Sequence, residues 1–146
     1  MVERKEEYIV DDQLDGSITI YQENKMKIVV GGQINKKEIA EFTKQYLQDS
    51  SEVDVKGDLE AVNAVKKGEY DYYIGACNTG GGGALAMAMA LLGKNKCQTI
   101  SMPGKIFSDA DIKAAVEEGK IAFGFTAQHA EKVLPVLLDA LKEKNS

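Results

Sequence analysis

From Met26 onward, short apolar runs alternate with stretches whose apolar residues recur every three or four positions. Ile28, Val29 and Val30 form a strand stopped by Gly31-Gly32. A helix follows over residues 35–48, with Asn35 as its N-cap, Glu38 in its first turn, and Ile39, Phe42, Tyr46 and Leu47 on one face. Residues 52–55 read as a second, partly exposed strand, after which Asp58 caps a helix carrying Leu59, Val62 and Val65 and ending at Gly68. Residues 72–76 are the third strand and residues 83–92 the third helix, stopped by Gly93. Strand four, over 97–101, leads to a helix over 109–118 that Ser108 caps and Gly119 stops. Strand five covers 121–125, and the last helix spans 127–142 with Pro135 kinking it.

This alternation predicts a three-layer α/β/α sandwich around a five-stranded, mainly parallel sheet. Strand two is the most polar and suits an edge, which favours the flavodoxin-like order 2-1-3-4-5; a Rossmann-like order is the alternative. The first 25 residues stand apart. They hold seven acidic residues against three basic ones, so most of the chain's formal charge of −5 sits there. Within them, Tyr8-Ile9-Val10 and Ser17-Ile18-Thr19-Ile20-Tyr21 flank an Asp/Gly-rich segment, the pattern of a β-hairpin. Residues 1–25 are thus expected to be an N-terminal extension and residues 26–146 a single α/β domain. A lone hairpin is marginal in water, so it docks on the domain, pairs with another subunit or stays mobile.

The 146 residues suffice for a self-sufficient core, and 44% hydrophobic with 28% charged residues is ordinary for a globular chain. The acidic balance argues against nucleic acid, whose phosphates require clustered Lys and Arg. The longest near-apolar run, residues 84–92, is too short for a membrane span, so no membrane insertion is expected. The charged N-terminus is no signal peptide, and two cysteines make no disulfide scaffold, which points to the cytoplasm. One histidine and no acidic cluster at the strand ends predict neither metal nor cofactor.

Ligands of open parallel sheets bind at the carboxyl ends of the strands. That rule gathers Gly31, Gly32 and Gln33, the loop from Cys77 to Gly83, Ser101 to Lys105, and Phe125 to His129. The second of these, Cys77-Asn78-Thr79-Gly80-Gly81-Gly82-Gly83, carries most information. Consecutive glycines lose more backbone entropy on folding than other residues would, and between a strand and a helix they let bare amides approach a ligand. The helix start behind them adds unpaired donors and partial positive charge, so the natural guest is a phosphate or carboxylate. Asn78 and Thr79 add side-chain hydrogen bonds. The alternative is a tight turn whose glycines serve helix–sheet packing. The loop is no Walker A motif, because Lys-Ser/Thr is absent after the glycines.

Cys77, beside a helix start, is either a nucleophile or a buried packing residue. His129 is a proton shuttle or a solvated residue at a helix start behind a Thr126 cap. Lys105 serves as a countercharge or as a plain surface lysine, and Gln33 and Ser101 suit a polyol's hydroxyls. Residues 84–92 form a helix that is apolar all round, which calls for cover by a second copy of the chain or by the N-terminal hairpin.

The stretch Asp71-Tyr72-Tyr73-Ile74-Gly75-Ala76-Cys77-Asn78-Thr79-Gly80-Gly81-Gly82-Gly83-Ala84-Leu85 resembles the YhfU-like family of uncharacterised bacterial proteins. The likeness extends from Met26 to about Leu141, with Pro103-Gly104 and Gly119-Lys120-Ile121-Ala122-Phe123-Gly124 included; the first 25 residues depart from it. It implies a compact cytoplasmic α/β protein, near transport and sugar or amino-acid genes, and assigns no catalytic residue. The loop is also similar to the cysteine- and glycine-rich turns of ribose-phosphate-type isomerases and of cysteine-phosphorylated sugar-transport subunits. In the latter the cysteine follows strand one, whereas Cys77 follows strand three.

Three functions follow. The first is a binder of a small anionic metabolite on the glycine-rich loop. The second is a sugar-phosphate isomerase using Cys77 and His129. The third is a phosphoryl carrier or accessory subunit of a sugar transport system.

Overall fold

The computed structural model describes residues 9–10, 18–19, 25–78 and 81–146. Five parallel strands form the central sheet: β1 (Met26–Gly32), β2 (Ser51–Val55), β3 (Tyr72–Cys77), β4 (Cys97–Thr99) and β5 (Ala122–Thr126). Five helices connect and follow them: α1 (Lys36–Leu47), α2 (Asp58–Lys66), α3 (Gly81–Leu92), α4 (Asp109–Glu117) and α5 (Ala130–Lys144). The three-layer α/β/α sandwich is therefore present. In the N-terminal extension, Ile9–Val10 pairs antiparallel with Ile18–Thr19. The turn expected between them lies outside the described residues.

The strand order is 2-1-3-5-4, which corrects the favoured 2-1-3-4-5. The reason lies in β5. All five of its residues are buried, whereas β4 has three residues, two of them half-exposed. An edge suits the shorter, more polar strand, so β5 inserts between β3 and β4. Right-handed crossovers then sort the helices by direction of travel. Steps toward one edge carry α2 and α3 on one face; the two steps back carry α1 and α4 on the other, where α5 joins them.

The two cores reflect that sorting. One face buries Met26, Ile28, Val30, Ile74, Phe123 and Phe125 against Ile39 and Leu47 of α1, Ile112 and Val116 of α4, and Leu134, Leu137, Leu138 and Leu141 of α5. The other is smaller, with Val29, Tyr73, Cys97 and Ala122 beneath Ala61, Val62 and Val65 of α2 and Leu85 and Ala88 of α3. At the amino end of the sheet, buried Asp71 ties β1 to β3. Its carboxylate accepts from the Lys27 amide at 2.9 Å, and its own amide donates to the Lys27 carbonyl at 2.7 Å.

Several helix ends differ from expectation. Ser108 caps α4 as expected, accepting from the Asp111 amide at 3.1 Å. Asn35 precedes α1 in the left-handed region, φ 56, and makes no side-chain cap bond. Gly57, not Asp58, is the N-cap of α2. α3 starts at Gly81, two residues early, and the last helix is preceded by a single 3-10 turn, Ala127–His129, so that Thr126 ends a strand. Beyond β4 the chain makes a small ribbon, Ser101–Met102 against Lys105–Ile106, where a longer strand was expected. Along α3, Leu85 and Ala88 are buried, Met87, Met89, Leu91 and Leu92 half-buried, and Ala86 and Ala90 exposed. Its outer side is thus partly exposed in the single chain. Among the described residues, no helix is long and apolar enough to cross a membrane.

Leu137 is fully buried where α5 meets the sheet, while Leu59 on α2 is 51% exposed. Leu137→Ala is expected to cost about 2–5 kcal/mol of unfolding free energy. Leu59→Ala should stay within about 0.5 kcal/mol of wild type. Urea denaturation of both variants checks the difference.

Candidate functional site

Alternate residues of a strand point to opposite faces, so the buried apolar partners of each strand fix the direction of the rest. Tyr73 and Ala122 face α2 and α3. By the same parity so do Gly75 and Cys77 on β3, Gly124 and Thr126 on β5, and Gly31 beside Val29 on β1. Pairing then sets Gly31, Gly75 and Gly124 side by side in one row across three strands. The Tyr73 ring lies across the first two. A Cβ on Gly31 would sit 2.7 Å from Tyr73 Cε2, and one on Gly75 would sit 2.5 Å from Tyr73 Oη.

The Tyr73 hydroxyl donates to Asp58 Oδ1, which also accepts from the Gly32 amide at 3.2 Å. Burial first, then the hydrogen bond and the charge of Asp58, hold the Tyr73 phenol well above the usual phenol range. Asp58 occupies the first position of α2, where a carboxylate complements the helix dipole. Gly32 itself has φ +83, and a Cβ there would lie 2.6 Å from the Ala76 amide nitrogen. Only glycine fits that crossing. The next residues fold back over β3, with the Gln33 and Ile34 amides donating to the Ala76 carbonyl at 3.0 and 3.4 Å.

One step further toward the carboxyl edge, Cys77 is the register partner of Thr126. Both are buried. The Thr126 amide donates to Ser101 Oγ at 3.0 Å, so the ribbon after β4 anchors the end of β5. The Thr126 hydroxyl is buried and has no hydrogen-bond partner among the described residues, and the same holds for His129 Nδ1 in the turn that follows. Thr126 is 4% exposed. Beyond the end of β3, Gly81, Gly82 and Gly83 open α3. Cys97, at the far edge, is a core thiol: it donates to the Gly93 carbonyl at 3.4 Å, and burial pushes its pKa up against the pull of Lys120.

Cys77, Ser101 and Thr126 thus meet at one end of the sheet. Asn78 is exposed beside them, and Thr79 and Gly80 lie outside the described residues. The Gly31-Gly32-Gln33 segment is differently employed. Its Gly32 and Gln33 amides already have protein acceptors, and Gly31 makes room for Tyr73. Lys105 is exposed on the ribbon, its ammonium 5.1 Å from the centroid of the Phe107 ring. Asp58 and Tyr73 were not among the expected site residues, since Asp58 read as a helix cap and Tyr73 as a core strand residue. The usable signal was the pair of glycines, Gly31 and Gly75, near the ends of neighbouring strands. A separate cleft of about 280 Å³ on the opposite face is lined by Asn35, Glu38, Phe42, Glu131 and Leu134 together with Ala127 and Gln128 of the last carboxyl-edge loop, and Cys77, Ser101, Thr126 and His129 do not line it. Among the described residues, no group of three or more His, Cys, Asp or Glu could hold a metal ion.

Sheet, glycine run and converging polar groups define an α/β sandwich protein with a candidate small-ligand site at the carboxyl ends of its strands. Residues 26–141 match the model of DUF2620, a protein family of unknown function, and the chain belongs to that family. It is similar to the uncharacterised protein YhfU of Escherichia coli K12 and to that of Shigella flexneri. Each is 48% identical over 91 residues, covering 62% of this chain and 78% of the relative. No solved structure matches the chain.

A methyl group at Gly75 meets the Tyr73 ring and hydroxyl, so Gly75→Ala is expected to lower stability by about 1–3 kcal/mol through overpacking. The phenol also predicts a pH effect. The folded state keeps Tyr73 protonated, whereas the unfolded chain releases its proton above about pH 10. Stability is therefore fully present below that pH and falls as pH rises past it. The melting-temperature gap between wild type and Tyr73→Phe should shrink between about pH 9 and 11.

Proposed function

We propose that this protein binds a small anionic metabolite, a phosphate or carboxylate, at the carboxyl edge of the sheet between the glycine-rich loop and β5. The observation that carries this reading is the Thr126 hydroxyl, buried without a hydrogen-bond partner directly beside Cys77. Leaving a buried hydroxyl unsatisfied costs about 1–3 kcal/mol, and a bound acceptor removes that cost. The first turn of α3 adds backbone N–H groups that have no partner within the helix, together with the positive end of its dipole. Asn78, Thr79 and the glycines from Gly80 to Gly83 are the loop donors in this reading. Ser101 positions Thr126, and Lys105 stays outside because its ammonium already lies over Phe107.

A second reading, a sugar-phosphate isomerase, is favoured by His129 Nδ1, also buried without a partner three residues after Thr126. In it Cys77 is the base that takes the proton from the carbon beside the substrate carbonyl and returns it to the neighbouring carbon. His129 moves the proton that opens the sugar ring, and the loop amides hold the oxyanion. The half-buried Met87, Met89, Leu91 and Leu92 of α3 support pairing of two copies through that helix.

Thermal unfolding against inorganic phosphate, small carboxylates and sugar phosphates tests the site. A ligand at about 100 times its dissociation constant stabilises the fold by about 2.7 kcal/mol, a shift of several degrees. Thr126→Val should leave the unliganded melting temperature unchanged or higher and abolish that shift. A wild type that no anion stabilises overturns the reading. Exchange of substrate hydrogen with deuterated water, lost in Cys77→Ser, separates the isomerase from a binder.

A further inference from the structure

Asp58 is a carboxylate on the same face of the sheet as this site, and it is held in place. Its Oδ1 accepts from both Tyr73 and Gly32, while Oδ2 makes no hydrogen bond among the described residues. A carboxylate offers about four acceptor positions, so Asp58 retains unused capacity on a pre-oriented oxygen. Asp58 is half-buried and sits over β1, its Oδ1 3.4 Å from where a Cβ on Gly31 would stand. Cys77 and Thr126 sit on β3 and β5, one step further toward the carboxyl edge. Polar atoms therefore run in a strip across β1, β3 and β5: Asp58, the Tyr73 hydroxyl, Cys77 at the end of the strand that leads into α3, and Thr126 beside it. Two strand spacings make that strip about 10 Å long.

We propose that Asp58 is the hydroxyl-binding end of the site and that the ligand is a phosphorylated polyol or sugar lying along the strip. This rests on the anion-binding reading above. The two ends differ in electrical sign: the glycine-rich start of α3 draws the phosphate, and the Asp58 carboxylate repels it and accepts hydrogen bonds from hydroxyls. That asymmetry fixes one orientation. The length excludes an α-amino acid, whose two charged groups share one carbon and do not reach both ends. Tyr73 acts here as a positioning residue, because its hydrogen bond and the glycine floor beneath its ring hold the carboxylate toward the strip. The independent sign of a ligand is the buried, unpartnered Thr126 hydroxyl at the opposite end.

Isothermal titration of the full chain with three probes tests the proposal: inorganic phosphate, ribose 5-phosphate, and pentyl phosphate, which has similar length and no hydroxyls. Wild type is expected to bind ribose 5-phosphate about 10- to 100-fold more tightly than pentyl phosphate, the range of one hydrogen bond to a charged acceptor. Asp58→Asn should erase that preference and leave inorganic phosphate within about twofold of wild type. The comparison of ribose and pentyl phosphates on wild type alone carries the test if Asp58→Asn does not fold. Phosphate binding without a preference for the hydroxylated probe, or a preference unchanged in Asp58→Asn, overturns the Asp58 assignment and leaves the anion site standing. Failure of all three probes to bind overturns both.

Discussion

A phenol ring can lie flat on a parallel sheet only where the strands beneath it carry no side chains. Tyr73 imposes that condition on this fold. It excludes a Cβ at Gly31 and at Gly75, which register pairing sets side by side. Its hydroxyl, buried with the ring, needs an acceptor, and Asp58 provides one from the first residue of α2. The same oxygen takes the Gly32 amide, and Gly32 can then turn back over β3 only in a left-handed conformation. One aromatic side chain thus links the end of β1, the start of α2 and the middle of β3. Loosening any member leaves a buried polar group without its partner, which makes the group cooperative.

The consequence is a division of labour between the two faces. The face under α1, α4 and α5 is continuous and apolar, with two phenylalanines of β5 at its centre. The face under α2 and α3 gives up side-chain volume to a glycine row and buries a tyrosine, a thiol and a threonine near the carboxyl edge. Stability rests mainly on the first face, where leucines and isoleucines interlock. The second contributes less apolar burial and carries the buried polar atoms on which the proposed site is built.

Much of the fold was legible because the periodicity of each segment reports local geometry. Helices α1, α2 and α4 lie close to where their apolar spacing and glycine stops put them. The order of the last two strands was not legible by counting alone. Polarity at the edge placed β2, and the same criterion applied to Gln98 and Thr99 places β4 at the other edge. The carboxyl-edge loops could be gathered from topology alone, and the structure brings Cys77, Ser101 and Thr126 together there. Asp58 escaped because an aspartate before a helical run reads as a cap. Its actual task depends on a tyrosine 15 residues away in sequence, a tertiary relation that no local pattern encodes.

Thr126 shows why the site had to be read from the structure. In sequence it is a threonine between an apolar strand and a helix, the usual setting of a cap. In the fold its amide goes to Ser101, its backbone ends β5, and a 3-10 turn rather than a helix follows. The side chain is thereby left without the capping role that would have satisfied it. Valine would fill the same space and suit the strand better, so packing alone gives no reason for a hydroxyl there. Its position in register with Cys77, on the face where a glycine run opens α3, gives one.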